Sequence, residues 1–122
     1  MTARRTVAAS GPVAASNYAD TLLNLERFAE AKALIRKAIP VARRVLGEGD
    51  EITLRMRWNY ATALYEDAGA MLDDVREAVA TLEELARTAR RVLGSAHPNT
   101  AEIEATLRTA RARETPSPPG TA

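Results

Sequence analysis

The feature that most constrains this chain is that it repeats itself. Asn17-Tyr18-Ala19 recurs 42 residues later as Asn59-Tyr60-Ala61, and Ala42-Arg43-Arg44-Val45-Leu46-Gly47 recurs 47 residues later as Ala89-Arg90-Arg91-Val92-Leu93-Gly94. Self-similarity at this spacing marks a stack of supersecondary units, each burying its apolar face against its neighbour. The two offsets differ by five residues, so the second copy carries an insertion between its two halves, expected at Ala70–Asp74.

Each copy reads as a helical hairpin. Phe28, Ala31, Ile35, Ala38, Ala42 and Val45 step by three and four, as do Val75, Ala78, Leu82, Leu85, Ala89 and Val92, so each set lies on one face of an α-helix. Gly47 and Gly94 suit the left-handed position after a helix, and Arg43, Arg44, Arg90 and Arg91 place cations in the last turn, where the helix dipole favours them. Asp50 can cap a helix beginning at Glu51, and Pro98 suits a first helical position. The pattern predicts helices over about 12–25, 28–46, 51–68, 73–93 and 98–112. The expected fold is all-α: a short α-solenoid of antiparallel hairpins, two repeats and a capping helix. The repeat domain spans 12–112, between a flexible N-terminus over 1–11 and a disordered proline-rich tail over 113–122. The apolar share is 46%, much of it alanine, and aromatics are only 4%, so helices can approach closely over a thin core and modest stability is expected. Alternating β-branched segments are few, which argues against a sheet.

Catalysis finds little support. There is no cysteine, and His97 is the only histidine, placed before Pro98 where it reads as a junction residue capping a helix. One histidine cannot give a zinc cluster, and a hydrolase triad would need a nucleophile and an orienting acid around it, whereas most of the serines sit in loops or tails. No glycine-rich phosphate loop is present, and no cofactor is implied. The pair Asp73-Asp74 is placed to cap the fourth helix, and Glu83-Glu84 lies on that helix's solvent side. A net charge of +1 argues against a dedicated nucleic-acid binder. Arg43-Arg44 and Arg90-Arg91 stand one repeat apart and form at most a small stripe, read as helix-end or surface charge. No apolar run approaches the roughly 20 residues that span a bilayer. The segment Met1–Ser16 holds Arg4 and Arg5 and no acid, the bias of transit peptides, but lacks the apolar stretch of a secretory signal. A cytoplasmic location is expected, with organelle import left open.

Arg43-Arg44-Val45-Leu46-Gly47 and Gly94-Ser95-Ala96-His97-Pro98-Asn99-Thr100 resemble the junctions of kinesin-light-chain-type tetratricopeptide repeats. Asn17-Tyr18-Ala19 and Asn59-Tyr60-Ala61 resemble the "NLA" of their first helices, and Arg27-Phe28-Ala29-Glu30-Ala31 the opening of their second. The resemblance runs over about Pro12 to Ala112, with departures. Glu26 stands where the inter-helix turn usually has glycine, and Gly49-Asp50-Glu51 lacks the His-Pro of the junction. Pro40 falls inside the second helix, where a kink or a break near Ile39 is expected. Arg108 takes the register position of Ala19 and Ala61, so the fifth helix is expected to be a cap with an exposed outer face.

The resemblance implies a protein or peptide ligand held in a concave groove lined by the first helix of each hairpin. It maps that groove onto Val13, Ser16, Asn17, Asp20, Leu23 and Asn24, and onto Arg55, Trp58, Asn59, Thr62, Tyr65 and Glu66. The residue chemistry agrees: asparagine can clamp a peptide amide, Arg55 can fork onto a carboxylate, and Trp58 and Tyr65 are interface anchors. Bland alternatives stand beside these. Trp58 equally fits a core or hairpin-packing role, Asn17 and Asn59 can each bond only within their own repeat, and Arg55 and Arg57 can simply be solvated. Tyr18 and Tyr60 read as packed between helices. Fewer than three full repeats is marginal for a solenoid, so the rival reading is a structural subunit or array fragment that packs into a larger assembly; self-association would cover its ends equally well.

Overall fold

The computed structural model describes residues 2–114, with side chains from Gly11 to Glu114. Five helices follow one another: α1 (Thr2–Asn24), α2 (Phe28–Leu46), α3 (Glu51–Glu66), α4 (Leu72–Val92) and α5 (Pro98–Glu114). No strand occurs among the described residues. Each helix packs on the next, and α1 also lies along α3, whereas α5 rests on α4 and meets α3 only slightly. The result is two stacked antiparallel hairpins closed by α5, the arrangement expected from the repeat.

Burial follows position in the stack. Helix α3 is central and is buried on almost every side, at Thr53, Leu54, Met56, Arg57, Tyr60, Ala61, Ala63, Leu64 and Tyr65. Helix α5 buries one stripe, Thr100, Ile103, Leu107 and Ala110, and Arg108 is exposed, as a capping helix requires. Ala19, Ala31, Ala42, Ala61, Ala78 and Ala89 are completely buried, so the alanines are the points where helices approach closely. The predicted inner faces of α2 and α4 point inward except at their ends, where Val45 and Val92 are 39% and 45% exposed.

Four boundaries differ from the sequence reading. Helix α1 begins at Thr2 rather than near residue 12, so the stretch read as a flexible N-terminus is helical from its second residue. The alanine-rich run carries the helix through Pro12, whose fixed φ is helical and whose missing N–H removes only one bond. Helix α2 is likewise unbroken at Ile39: Pro40 sits on its exposed side, where the carbonyl left without a donor can reach water. Helix α5 continues to Glu114, past the expected limit at 112, and the rest of the expected tail, 115–122, lies outside the described residues.

The five-residue insertion divides in two. The α1–α2 loop is Leu25-Glu26-Arg27, while the α3–α4 loop runs over 67–71 and is two residues longer. The other three residues extend α4 at its start, since Phe28, the first residue of α2, corresponds to Val75 and α4 begins at Leu72. Asp73 and Asp74 therefore occupy the first turn of α4 and are not its cap residue; Asp74 reaches back instead to accept a bond from the Met71 N–H at 3.0 Å.

The turns repeat the same chemistry twice. Asp50 Oδ1 accepts from the Ile52 N–H at 2.8 Å, and His97 Nδ1 accepts from the Asn99 N–H at 3.0 Å. These two residues are 47 apart, so they are equivalent N-caps of α3 and α5. Gly47 closes α2 with φ 97° and ψ 159°. The φ is positive as expected, but the ψ lies well beyond the left-handed helical basin, in a region almost closed to any residue with a Cβ. Glu26 does occupy the left-handed region, at φ 57°. There the Arg27 N–H bonds to the Leu22 carbonyl and the Glu26 N–H to the Leu23 carbonyl, a Schellman closure of α1 with glutamate at its glycine position.

Candidate functional site

The first helices α3 and α5 diverge because α5 leans on α4, and the gap between them forms a groove of about 540 Å³. Its walls carry Glu51, Ile52, Leu54, Arg55, Trp58, Asn59 and Thr62 from α3, Asn99, Glu102 and Ile103 from α5, and Leu93 just past α4. Apolar side chains and convergent polar groups alternate on it, the mix expected of a recognition site.

Four of the expected site residues, Arg55, Trp58, Asn59 and Thr62, line this groove. Trp58 lines the groove, and its Nε1 donates to Thr106 Oγ1 at 3.2 Å, bridging α3 and α5 rather than the two helices of one hairpin. The Thr62 hydroxyl donates back to the Trp58 carbonyl at 3.0 Å. Asp20 does not line the groove. It ties α1 to α3, accepting from Asn59 Nδ2 at 2.7 Å and pairing with Arg55 Nη2 at 3.1 Å. Asn17 and Asn24 lie exposed on α1, outside the groove. Tyr65 is the clearest departure, being 5% exposed. Arg113 donates to its carbonyl at 2.6 Å and stands over its ring at 5.8 Å, and burial, then Glu66, pushes the phenol up from its ordinary range while Arg113 opposes them. Ser16, also mapped to the groove, is 1% exposed.

The groove thus lies between α3 and α5 rather than across α1 and α3, because Asp20 zips that second pair together. The α5 contribution was missed, although the 47-residue offset carries it: Ile52 corresponds to Asn99 and Arg55 to Glu102. The charge reading also changes. Arg55 is already paired, and Glu51 and Glu102 have no cationic partner among the described residues, so the groove and its Asp20 border carry an acidic excess.

Behind the groove, Tyr60 joins three helices. Its hydroxyl donates to Glu77 at 2.6 Å and accepts from Arg36 Nε at 3.0 Å, so α2, α3 and α4 meet at one oxygen. Burial first, then the bond to Glu77, pushes this phenol up, while Arg36 partly counters them. Tyr18 holds the same register in the first copy but is 53% exposed against 9% for Tyr60, because no described helix covers that face of α1. Its expected packing between helices is not seen.

A family model for the tetratricopeptide repeat matches residues 13–51 and 69–99, more than half of the chain. The chain belongs to the tetratricopeptide repeat family. Tetratricopeptide repeats are a non-enzymatic scaffold family and generally act as protein–protein interaction modules. The matched stretches cover α2 and α4 with their junctions but leave out 52–68, and with them nearly all of α3, the helix that supplies four of the groove residues. No curated protein and no solved structure matches the chain. No helix among the described residues is long and apolar enough to cross a membrane.

Proposed function

We propose that this tetratricopeptide repeat module holds an extended peptide segment of a partner protein between α3 and α5, and that the segment presents a basic side chain next to an apolar one. The observation that carries the reading is the groove itself. Ile52, Trp58, Leu93 and Ile103 offer it apolar surface, while Glu51 and Glu102 line it without an ion pair among the described residues. A lysine or arginine of the ligand completes those carboxylates through charge-assisted bonds. The Asn99 side chain, which has no hydrogen bond among the described residues, bonds the ligand backbone, whereas Asn59 spends one donor on Asp20.

A peptide-display selection on the protein, repeated with Glu102→Gln and Arg55→Ala, tests this. Glu102→Gln keeps the shape and removes the charge. Enriched peptides should carry a basic residue and bind the Glu102→Gln protein about tenfold more weakly, the effect of one charge-assisted bond. Arg55→Ala should leave the basic preference in place. No enrichment, or enriched peptides indifferent to Glu102→Gln, would sink the groove reading.

A second reading, packing into a larger assembly, is supported by the bare face of α1. Ala14, Tyr18 and Thr21 are exposed, while their register equivalents Met56, Tyr60 and Ala63 are buried under α2. Concentration-dependent mass that is lost in Tyr18→Ser would favour this reading over the groove.

A further inference from the structure

Helix α3 has a second polar side. Arg57 is two residues from Arg55 and so points to the opposite flank of the helix, about 200° away. Its side chain is 3% exposed, and its guanidinium reaches Glu48 at 3.2 Å and Glu84 at 3.3 Å. These carboxylates form part of the wall of a notch of about 460 Å³, together with Arg43 from the last turn of α2 and Arg87, Thr88 and Arg91 from α4. Arg43 shares Glu48, at 3.1 Å. The side chains of Arg87 and Arg91 have neither an acidic partner nor a hydrogen bond among the described residues.

The charge count around this notch is unequal. Four guanidiniums, Arg43, Arg57, Arg87 and Arg91, face two carboxylates, Glu48 and Glu84. Both carboxylates are already committed to Arg57. Arg87 and Arg91 lie one helical turn apart, a like-charge spacing that weakens an isolated helix slightly. Burial holds the Arg57 guanidinium below its ordinary range; Glu84 pulls against it most, Arg43 adds a smaller push in the same direction as burial, and Glu48 opposes them. The count of charges leaves the notch positive, and its concave, partly walled shape screens a charge less than open surface does.

We propose that this notch is an anion site, and that Arg87 and Arg91, backed by Arg43 and the buried Arg57, bind a phosphomonoester. The excess of two positive charges matches the roughly −2 of a phosphate monoester near neutral pH. Paired guanidiniums offer the planar, multiple donors that its oxygens accept. The notch lies on the flank of α3 away from the peptide groove and stands independently of the groove reading. The phosphoryl group can be free or carried on a side chain.

The test is a titration of the protein with inorganic phosphate and, separately, with a short phosphoserine peptide, at constant ionic strength set with chloride. The arginine Nε–Hε resonances are followed by NMR, and Arg87→Gln, Arg91→Gln and Arg108→Gln are compared. The three arginines are exposed, so all three variants keep the fold, and Arg108 on α5 controls for general surface charge. The expected result is saturable binding that moves the Arg57, Arg87 and Arg91 signals and weakens at least tenfold, about 1.4 kcal/mol, in Arg87→Gln and in Arg91→Gln but not in Arg108→Gln. Tighter binding of the peptide than of phosphate would identify a phosphorylated side chain as the source; equal binding would identify the free anion. Shifts that never saturate, or that Arg108→Gln reduces as much as the other two, would overturn the proposal and leave the notch as solvated surface charge.

Discussion

Replacing Glu26 by glycine should stabilise the protein, and the size of the gain can be worked from the turn. Glu26 has φ 57°, and its N–H and that of Arg27 close the end of α1 onto Leu23 and Leu22. An L-residue held in the left-handed region costs about 1–2 kcal/mol, because its Cβ crowds the backbone. Glycine removes that cost but loses more freedom on folding, about 0.5–1 kcal/mol. The net gain from relieving the Cβ is therefore about 0.5–1 kcal/mol. A separate effect must be subtracted: a carboxylate beside the C-terminus of α1 opposes the helix dipole by roughly 0.3 kcal/mol at an exposed position. Glu26→Ala removes the charge and keeps the Cβ, so it isolates that effect. The assay is urea unfolding followed by circular dichroism, with a thermal melt beside it. Glu26→Gly should exceed Glu26→Ala by about 0.5–1 kcal/mol, or roughly 2–4 °C in a domain of this size, and Glu26→Asn should fall between them because asparagine tolerates the conformation. If Glu26→Gly is no more stable than Glu26→Ala, the turn carries no Cβ strain and the reasoning fails.

Three further outcomes follow from buried or capping groups. Tyr60→Phe should cost about 0.5–1.5 kcal/mol, since Arg36 and Glu77 regain water when they lose the hydroxyl. The phenol of Tyr60 is raised in the folded state, so its contribution is complete below the unfolded value near 10 and is lost as pH rises through the folded one. Unfolding curves should therefore show an alkaline loss of stability above about pH 10 that is smaller in Tyr60→Phe, with Tyr65 supplying the remainder in the same direction. Arg57→Met should lie within about 1 kcal/mol of the parent or above it, because a packed apolar chain replaces a buried charge whose partners are exposed, whereas Arg57→Ala should lose about 2–5 kcal/mol to a cavity; equal losses in urea unfolding would contradict this. His97→Ala should cost about 1 kcal/mol by removing the α5 cap, and His97→Asp should restore it as Asp50 does for α3; an aspartate variant no better than alanine would refute the equivalence of the two caps.

Much of the fold was legible because the repeat is written twice. Two copies of one helix-end motif located Gly47 and Gly94, and the three-and-four spacing of α2 and α4 named their buried faces at Ala31, Ile35, Ala78, Leu82 and Leu85 before any coordinates. What misled was Pro40. A proline in a helix is read as a break, because it removes a bond and crowds the preceding turn. The sequence does not say whether that turn faces water. Pro40 does, and α2 continues past it. The insertion was counted correctly at five, yet counting cannot divide it between loop and helix. Three of its residues joined α4 because Asp73 and Asp74 favour a helical first turn and Asp74 supplies the acceptor for Met71.

The site was less legible, for a reason that lies in α3. A helix at the centre of a stack has no apolar stripe, because every side meets a neighbour, and the periodicity that marked α2 and α4 is absent from it. Arg55 and Arg57 therefore look alike in the sequence, two basic residues on one helix. The rotation of about 100° per residue sends them to opposite flanks, and the neighbours then decide their fates. Arg55 meets Asp20 at the edge of a groove with its side chain still 59% exposed. Arg57 is buried, and pairs with Glu48 and Glu84, two carboxylates of the notch that Arg43 and Arg91 also line. One central helix thus serves two chemically opposite surfaces, an acidic groove and a basic notch. A substitution on α3 that alters one of them should leave the other unchanged only if it keeps the helix rotation, which Tyr60, bonded at once to α2 and α4, is placed to hold.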